Sequence, residues 1–453
     1  MTVTRSRTLH FPLQALMGLF IALAACTFTA CSNSEPMGFD IEETATIHCR
    51  DTNIIASPTQ DTFPNIDSIE NHEHICDTIS EYLPLNDSKY PYAGIPRIVI
   101  ETENHQAIKD RETEISAKLQ IWGEKAPESE IMELTIKRRG NTTWKNPKKP
   151  YTIKFEQKQE FLGMKNAKKW VLLANYLDRT LMRNAIAFEI ARHTNLEWTP
   201  NGKFAELFLN GKFLGNYFVC EKIQINKNRL NISEAAYLLE LDINDYEDRE
   251  FKSLFKKYPI NIRNPDNPSK EQIDYIQNYI DTVESFLYGE HKISAIENYL
   301  DLQTFADYLI VHELSQNSET LYPKSVYMYK DSNLLKIGPV WDFDWGSFVE
   351  YKKGWQAKKG LWFNALLSHD CFKSLVKNSW MQYKKSFENM EPFIDSLAEF
   401  TRISNERNIK LWPVDIHSKD FPDMDKSFDE SISMMKSVFF QRIIELDSLF
   451  MGL

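Results

Sequence analysis

What the chain lacks sets the first limits. Its 53 Lys and Arg fall short of its 64 Asp and Glu, and a formal net charge of −11 argues against a general nucleic-acid binder, whose surface must be positive to neutralise phosphates. Cysteine is scarce, at six. Beyond the first 31 residues, Cys49, Cys76, Cys220 and Cys371 lie scattered, with no C-x-x-C pair and no Cys/His cluster to suggest zinc. His312-Glu313 lacks the second His of a zinc protease and reads as a packed helix pair. No internal repeat is visible, and no Rossmann-like βαβ run stands ahead of the chemistry-bearing stretches. The apolar run from Phe11 to Ala25 is too short for a comfortable membrane span.

That short run is informative in another way. Arg5 and Arg7 precede it, which is the pattern of an export leader, and Leu23-Ala24-Ala25-Cys26 looks like the lipobox of a bacterial lipoprotein. Cys31, followed at once by polar sequence, is the second candidate for acylation, and the choice between Cys26 and Cys31 stays open. The leader is expected over 1–31, with the protein exported and lipid-anchored to the bacterial cell envelope, at an outer or surface membrane. An oxidising exterior permits a Cys49–Cys76 disulfide. Residues 32–90 are polar and acidic without a sustained period, and read as a tether.

With 42% hydrophobic and 13% aromatic residues, the rest can bury a large core. "GIPRIVIET", "SAKLQIWG" and "IMELTIKRRG" read as strands, and Asn210-Gly211 between two strand-like runs predicts a hairpin. "EAAYLLELD" adds another strand, and a helix is expected from Asp178 to Arg192. After about Asp242, longer amphipathic helices take over, broken by a hairpin in "KSVYMYKDSNLLKIG". The expectation is an α+β fold of two lobes: a β-rich lobe over 91–245 and a mainly helical lobe over 246–453.

Two stretches carry chemistry. Between Lys137 and Lys169 stand eleven Lys or Arg against two Glu, a local excess of positive charge in an acidic chain. Gly140-Asn141 permits a tight turn with exposed N–H groups, Arg139 can fork onto a phosphate, and alternation in "YTIKF" turns Lys154 away from Ile153 and Phe155. In "GPVWDFDWGSF" a strand would place Trp341, Phe343 and Trp345 on one face and Asp342 and Asp344 on the other. Two carboxylates so placed repel each other unless a hard cation sits between them.

In chain order, "RRGNTTWKNPKKPYTIKF", "KKWVLLANYLDRTLMRN", "LNGKFLGNYFVCEKIQI", "YLLELD" and "GPVWDFDWGSF" resemble the spore-coat protein H (CotH) kinase family, over about Gly94 to Leu453. The resemblance implies an atypical, protein-kinase-like bilobal fold. It also implies transfer of phosphate from ATP, with Mg²⁺ or Mn²⁺, to protein hydroxyls. Asp342 and Asp344 would hold the metal; Arg139, Lys154 and, more weakly, Lys149 would meet the nucleotide, and Glu221 would orient such a cation or approach the nucleotide. Arg183 and Asn184 match the family block as helix-fixing or catalytic residues. The chain departs from the family's Asn-x-Asp segment, because Asn317 is followed by Glu319, 23 residues before Asp342, and Lys324 stands where a kinase loop has a metal-binding Asn. Glu319 is the candidate base, and its extra methylene bears on its reach.

Three functions therefore compete: a kinase-like phosphotransferase with an unidentified protein acceptor, a surface scaffold that has lost the chemistry, and a nucleotide-sugar transferase using D-x-D.

Overall fold

The computed structural model describes residues 85, 88–243, 251–289, 293–414 and 421–453. The leader with Cys26 and Cys31, most of the tether, and the Cys49–Cys76 pair lie outside the described residues. What is described belongs to one compact unit, Ile66–Leu453.

The first half is strands whose side chains alternate between inside and outside. In β4 (Tyr151–Phe161) Tyr151, Ile153 and Phe155 are buried while Lys154 and Glu156 are exposed, so Lys154 faces outward as the alternation predicts. β1 (Arg97–Thr102), β2 (Ile115–Trp122), β3 (Met132–Arg138), β4 and β5 (Met164–Leu173) run as an antiparallel meander. The hairpin of β6 (Gly202–Leu209) and β7 (Lys212–Glu221) completes the set. Its turn residues Asn210 and Gly211 both take positive φ, 48° and 72°, the geometry that lets a two-residue loop follow strand twist. β7 pairs with β5, and β6 closes on β1 in parallel, making a seven-stranded closed barrel. Ile98, Leu119, Ile136, Ile153, Trp170 and Val219 fill one continuous core there, and closure removes the exposed edges.

Helix α1 (Arg183–Arg192) is shorter than expected. Asp178 to Met182 instead form a turn in which the Asp178 carboxylate accepts from the backbone N–H groups of Thr180 and Arg183, at 2.9 and 2.8 Å, and Leu181 has a φ of 59°.

The second half corrects the expected fold class. It is not a mainly helical lobe of a kinase-like bilobal fold: β8 (Tyr237–Leu241), β9 (Phe251–Lys252), β10 (Pro259–Asn264), β11 (Val326–Lys330) and β12 (Lys336–Ile337) form a second sheet in the order β12-β11-β8-β10-β9. A short strand such as "PINIR" has little amphipathic signal of its own because the sheet is covered. Leu238, Leu239, Ile260, Ile262 and Met328 join the large core with the helices. Around that core lie α2 (Lys270–Tyr288), α3 (Leu302–Ser315), α4 (Phe363–Leu366), α5 (Asp370–Glu388), α6 (Glu391–Leu411) and α7 (Phe428–Met451). α2 starts at a capping box, Ser269 with Gln272. Among the described residues no helix is long and apolar enough to cross a membrane.

Candidate active-site cleft

A cleft of about 820 Å³ opens where the ends of β3, β5 and β7 meet β8, β11 and the loop after β12. Asp342, Asp344, Glu319 and Arg139 line it together, although they stand far apart in sequence.

The acidic side is built from loop, not strand. Residues 338–343 have no strand pairing, and Asp342 takes a φ of 67°. The expected strand alternation survives only in part: Trp341 and Phe343 are buried, whereas Trp345 is 45% exposed, its ring edge-on to Phe421. Trp341 stacks on Phe188 of α1 at 5.9 Å and Phe343 meets the same ring edge-on. Buried polar groups then fix the backbone. Asn184 accepts from the Phe343 N–H at 2.9 Å, Arg183 donates to the Asp344 carbonyl at 3.3 Å, and Asn317 donates to the Asp342 carbonyl at 3.0 Å. Arg183 also lies against two carboxylates, Asp178 at 3.3 Å and Asp423. Asn317 is fully buried and does not line the cleft; its side-chain oxygen accepts from the Glu319 N–H at 2.8 Å. Asn317 is thus the staple between the two acidic loops.

The carboxyls repel. Burial, then the charge of Asp342, holds Asp344 well above the usual carboxylate range. Glu319 is raised for the same reasons, burial first and then Asp342, with Asp344 and Asp242 adding and the Lys324 ammonium opposing. Glu319 Oε2 is enclosed without a protein partner, as is the Tyr308 hydroxyl on α3. The Tyr308 and His312 rings stack at 4.2 Å, and burial pushes His312 down to about 3. It is a neutral packed residue.

A divalent cation suits this acidic side. Among the described residues no three His, Cys, Asp or Glu are grouped to enclose a metal. Mg²⁺ commonly takes one or two carboxylates and completes its shell with water and substrate phosphates. Asp342 and Asp344, mutually repelling at the cleft surface, fit that use.

The opposite side is cationic. The turn at Gly140, whose φ is 92° and where a Cβ would meet Thr143 Oγ1 at 2.1 Å, requires glycine. It is tied to the end of β8 by Asn141 donating to Asp242 at 2.6 Å. Arg139 sits over the Trp341 ring at 5.7 Å, reaching toward the acidic loop. Other sequence candidates lie elsewhere. Lys154 is on the outer face of the barrel with Glu114 at 3.8 Å, and Lys149, whose carbonyl accepts from the Tyr217 hydroxyl, does not line the cleft. Glu221 is buried against Arg229 at 3.4 Å and accepts from the Asn201 N–H.

The neighbours of two of these face the cleft instead. Lys148, fully buried, donates to the carbonyls of Ala174, at 2.7 Å, and Asn216, and sits over Tyr217. Lys222 lines the cleft with Lys169 and Lys137. Sequence reasoning passed over these residues; period-two alternation, which puts Lys222 opposite Glu221, was the available signal.

The family model described as CotH kinase protein matches residues 136–443, a span that contains Arg139, Lys222, Glu319, Asp342 and Asp344. No curated protein matches the chain.

Proposed function

Because the chain belongs to the CotH kinase protein family, we propose that its cleft binds ATP with a divalent cation and transfers the terminal phosphoryl group to a protein hydroxyl. The observation that carries this reading is the meeting, in one cleft, of Asp342, Asp344 and Glu319 with a wall of Lys and Arg. Phosphoryl transfer needs little else than positioning and charge. Asp342 and Asp344 would hold Mg²⁺ or Mn²⁺, which when bound supplies positive charge to the phosphate oxygens. Arg139 offers forked donors to the same oxygens. Glu319 takes the acceptor's proton while the acceptor oxygen bonds to the terminal phosphorus and the bond to the departing ADP oxygen breaks. Burial first, and then the charge of Asp342, raises Glu319, so a cation held by the neighbouring carboxylates favours the base role by offsetting part of that shift. Asn317 sets the separation of base and metal loops by bonding to both. The setting we propose is the cell envelope, with the chain anchored through Cys26 or Cys31.

One observation favours a second reading, a scaffold that binds nucleotide without transfer. Lys324, in the position of a kinase metal-binding Asn, bears on Glu319 with a positive charge.

The test is calorimetric titration of Mg²⁺-ATP into the protein and into Asp342→Ala, followed by a search for phosphoprotein product. Binding lost in the variant together with phosphate on protein supports the transferase. Binding without transfer leaves the scaffold, and no binding to either protein overturns both.

A further inference from the structure

We propose that Lys222, with Lys169 and Arg139, forms a seat that holds the phosphate oxygens of a nucleotide without help from a metal ion. The nucleotide reading above supplies the identity of the anion; the seat itself rests on the arrangement of charges.

Lys222 is the residue after β7. Glu221, the last residue of that strand, turns inward to Arg229, so Lys222 turns the other way and lines the cleft, half-buried. The charges that bear most on it are Lys169 from β5, Arg139 and Lys137 from the end of β3, and Glu240 from β8. Glu240 is already engaged: Arg263 of β10 donates to it at 2.7 Å, and the Tyr327 hydroxyl of β11 donates to it as well. Four cations therefore line a half-buried spot where Lys137 has Glu114 at 3.6 Å, Lys169 lies in the field of the same carboxylate, and Glu240 is committed to Arg263, which leaves Lys222 and Arg139 facing the opening.

Such a cluster is unfavourable by itself and becomes favourable when a multivalent anion arrives. The strain shows on Lys222, which burial first, and then Lys169 and Arg139, push down to about 8. A lysine on a solvated face would not be so lowered. On the metal-holding side the groups that bear most on Glu319 are a different set, Asp342, Lys324, Asp344 and Asp242. The cleft thus has two poles. One attracts a cation, and the other attracts phosphate whether or not a cation is present.

A proton on Lys222 is needed for the seat to bind, so affinity falls as pH rises through about 8. Arginine keeps its charge over this range and should abolish the dependence.

The probe is inorganic pyrophosphate, titrated calorimetrically in low salt with EDTA, at pH 7 and pH 9. The native protein should bind it at pH 7 and about tenfold more weakly at pH 9. Lys222→Ala should lose about tenfold or more at pH 7. Lys222→Arg should bind well at both, and Lys165→Ala, an exposed member of the same basic run, should match the native protein. The seat is overturned if Lys222→Ala binds as the native chain does, if Lys222→Arg keeps the fall at pH 9, or if pyrophosphate binds only with Mg²⁺. Mg²⁺-ATP binding and phosphotransfer in a protein that ignores metal-free pyrophosphate would sink the seat and leave the transferase. Metal-free pyrophosphate binding by Lys222 in a protein that does not bind Mg²⁺-ATP would do the reverse.

Discussion

The two walls of the cleft are made by different means. The cationic wall hangs from regular strands: Lys137 on β3, Lys169 on β5, Arg139 and Lys222 one residue past β3 and β7. Each side chain is aimed by strand alternation, and the barrel core beneath would hold the strands whatever residue stood there. The acidic wall is irregular backbone. Asp342 is in the left-handed region, and Asn184, Arg183 and Asn317 each bond to a backbone group between Asp342 and Asp344. A loop of that kind persists only where its surroundings over-determine it. On the cationic wall, stability and binding can therefore be changed separately; on the acidic wall they cannot.

The sharpest way to break this comparison is Arg183→Ala. Arg183 is 1% exposed and lies against Asp178 and Asp423, so its loss leaves buried carboxylates without their cation and frees the Asp344 carbonyl. The expected cost is about 4–5 kcal/mol, measured by urea unfolding. Arg139→Ala on the other wall, half-exposed over Trp341, should cost about 1 kcal/mol or less. Equal losses would mean that the cationic wall is also structural.

The neighbours Glu221 and Lys222 repeat the contrast within two residues. Glu221 is 1% exposed and held by Arg229, whose guanidinium also covers Trp170 at 4.3 Å. Glu221→Ala should destabilise by about 3 kcal/mol, since it leaves Arg229 buried and unpaired, yet leave pyrophosphate affinity within about twofold at temperatures where the variant is folded. Lys222→Ala should lose affinity and keep the native unfolding midpoint. If Glu221→Ala loses affinity as its main effect, Glu221 belongs to the cleft after all.

This contrast also explains what was legible in the sequence. Alternation read correctly that Lys154 leaves the side of Ile153 and Phe155, and Asn210-Gly211 gave the hairpin. It did not say which face of the strand a cleft would use. That depends on β6 closing onto β1 and on β8 lying beside the barrel mouth, both long-range events. So Arg139, named from the sequence, does line the cleft, whereas Lys148 and Lys222, each one residue from a proposed Lys149 or Glu221, line it too and were passed over. D-x-D was recognised by its composition, but its backbone was misjudged, because the bonds that force Asp342 into a positive φ come from Arg183, Asn184 and Asn317 in distant segments. Helix α6 escaped notice because its buried face includes Thr401, Ser404, Asn405 and Asn408, which carry no apolar period. The kinase-like helical lobe was expected because helices dominate the length of the second half, while β9 and β10, which complete one sheet with the expected "YLLELD" strand and hairpin, are only two and six residues long.

The smallest effect tests how dry the ground beneath the acidic wall is. His312 packs between Tyr308 and Phe343, at 4.2 and 5.2 Å, and a backbone hydrogen bond at Asn317 only partly offsets its burial. Burial lowers its folded pKa to about 3, against an ordinary 6.5. The unfolded chain therefore binds a proton below pH 6.5 that the folded chain refuses until about pH 3. The contribution is complete above pH 6.5 and is lost progressively as pH falls toward 3. Between pH 7 and pH 5 this one group should remove about 2 kcal/mol of stability. His312→Phe keeps an aromatic ring against Tyr308 and cannot titrate, so its stability should fall by about 2 kcal/mol less over the same interval, read from urea midpoints at the two pH values. Parallel curves would mean that His312 takes up its proton in the folded protein near its ordinary pKa. Water or a charged partner would then reach the underside of the Asp342 loop, and the tight determination that distinguishes this wall from the cationic one would be lost.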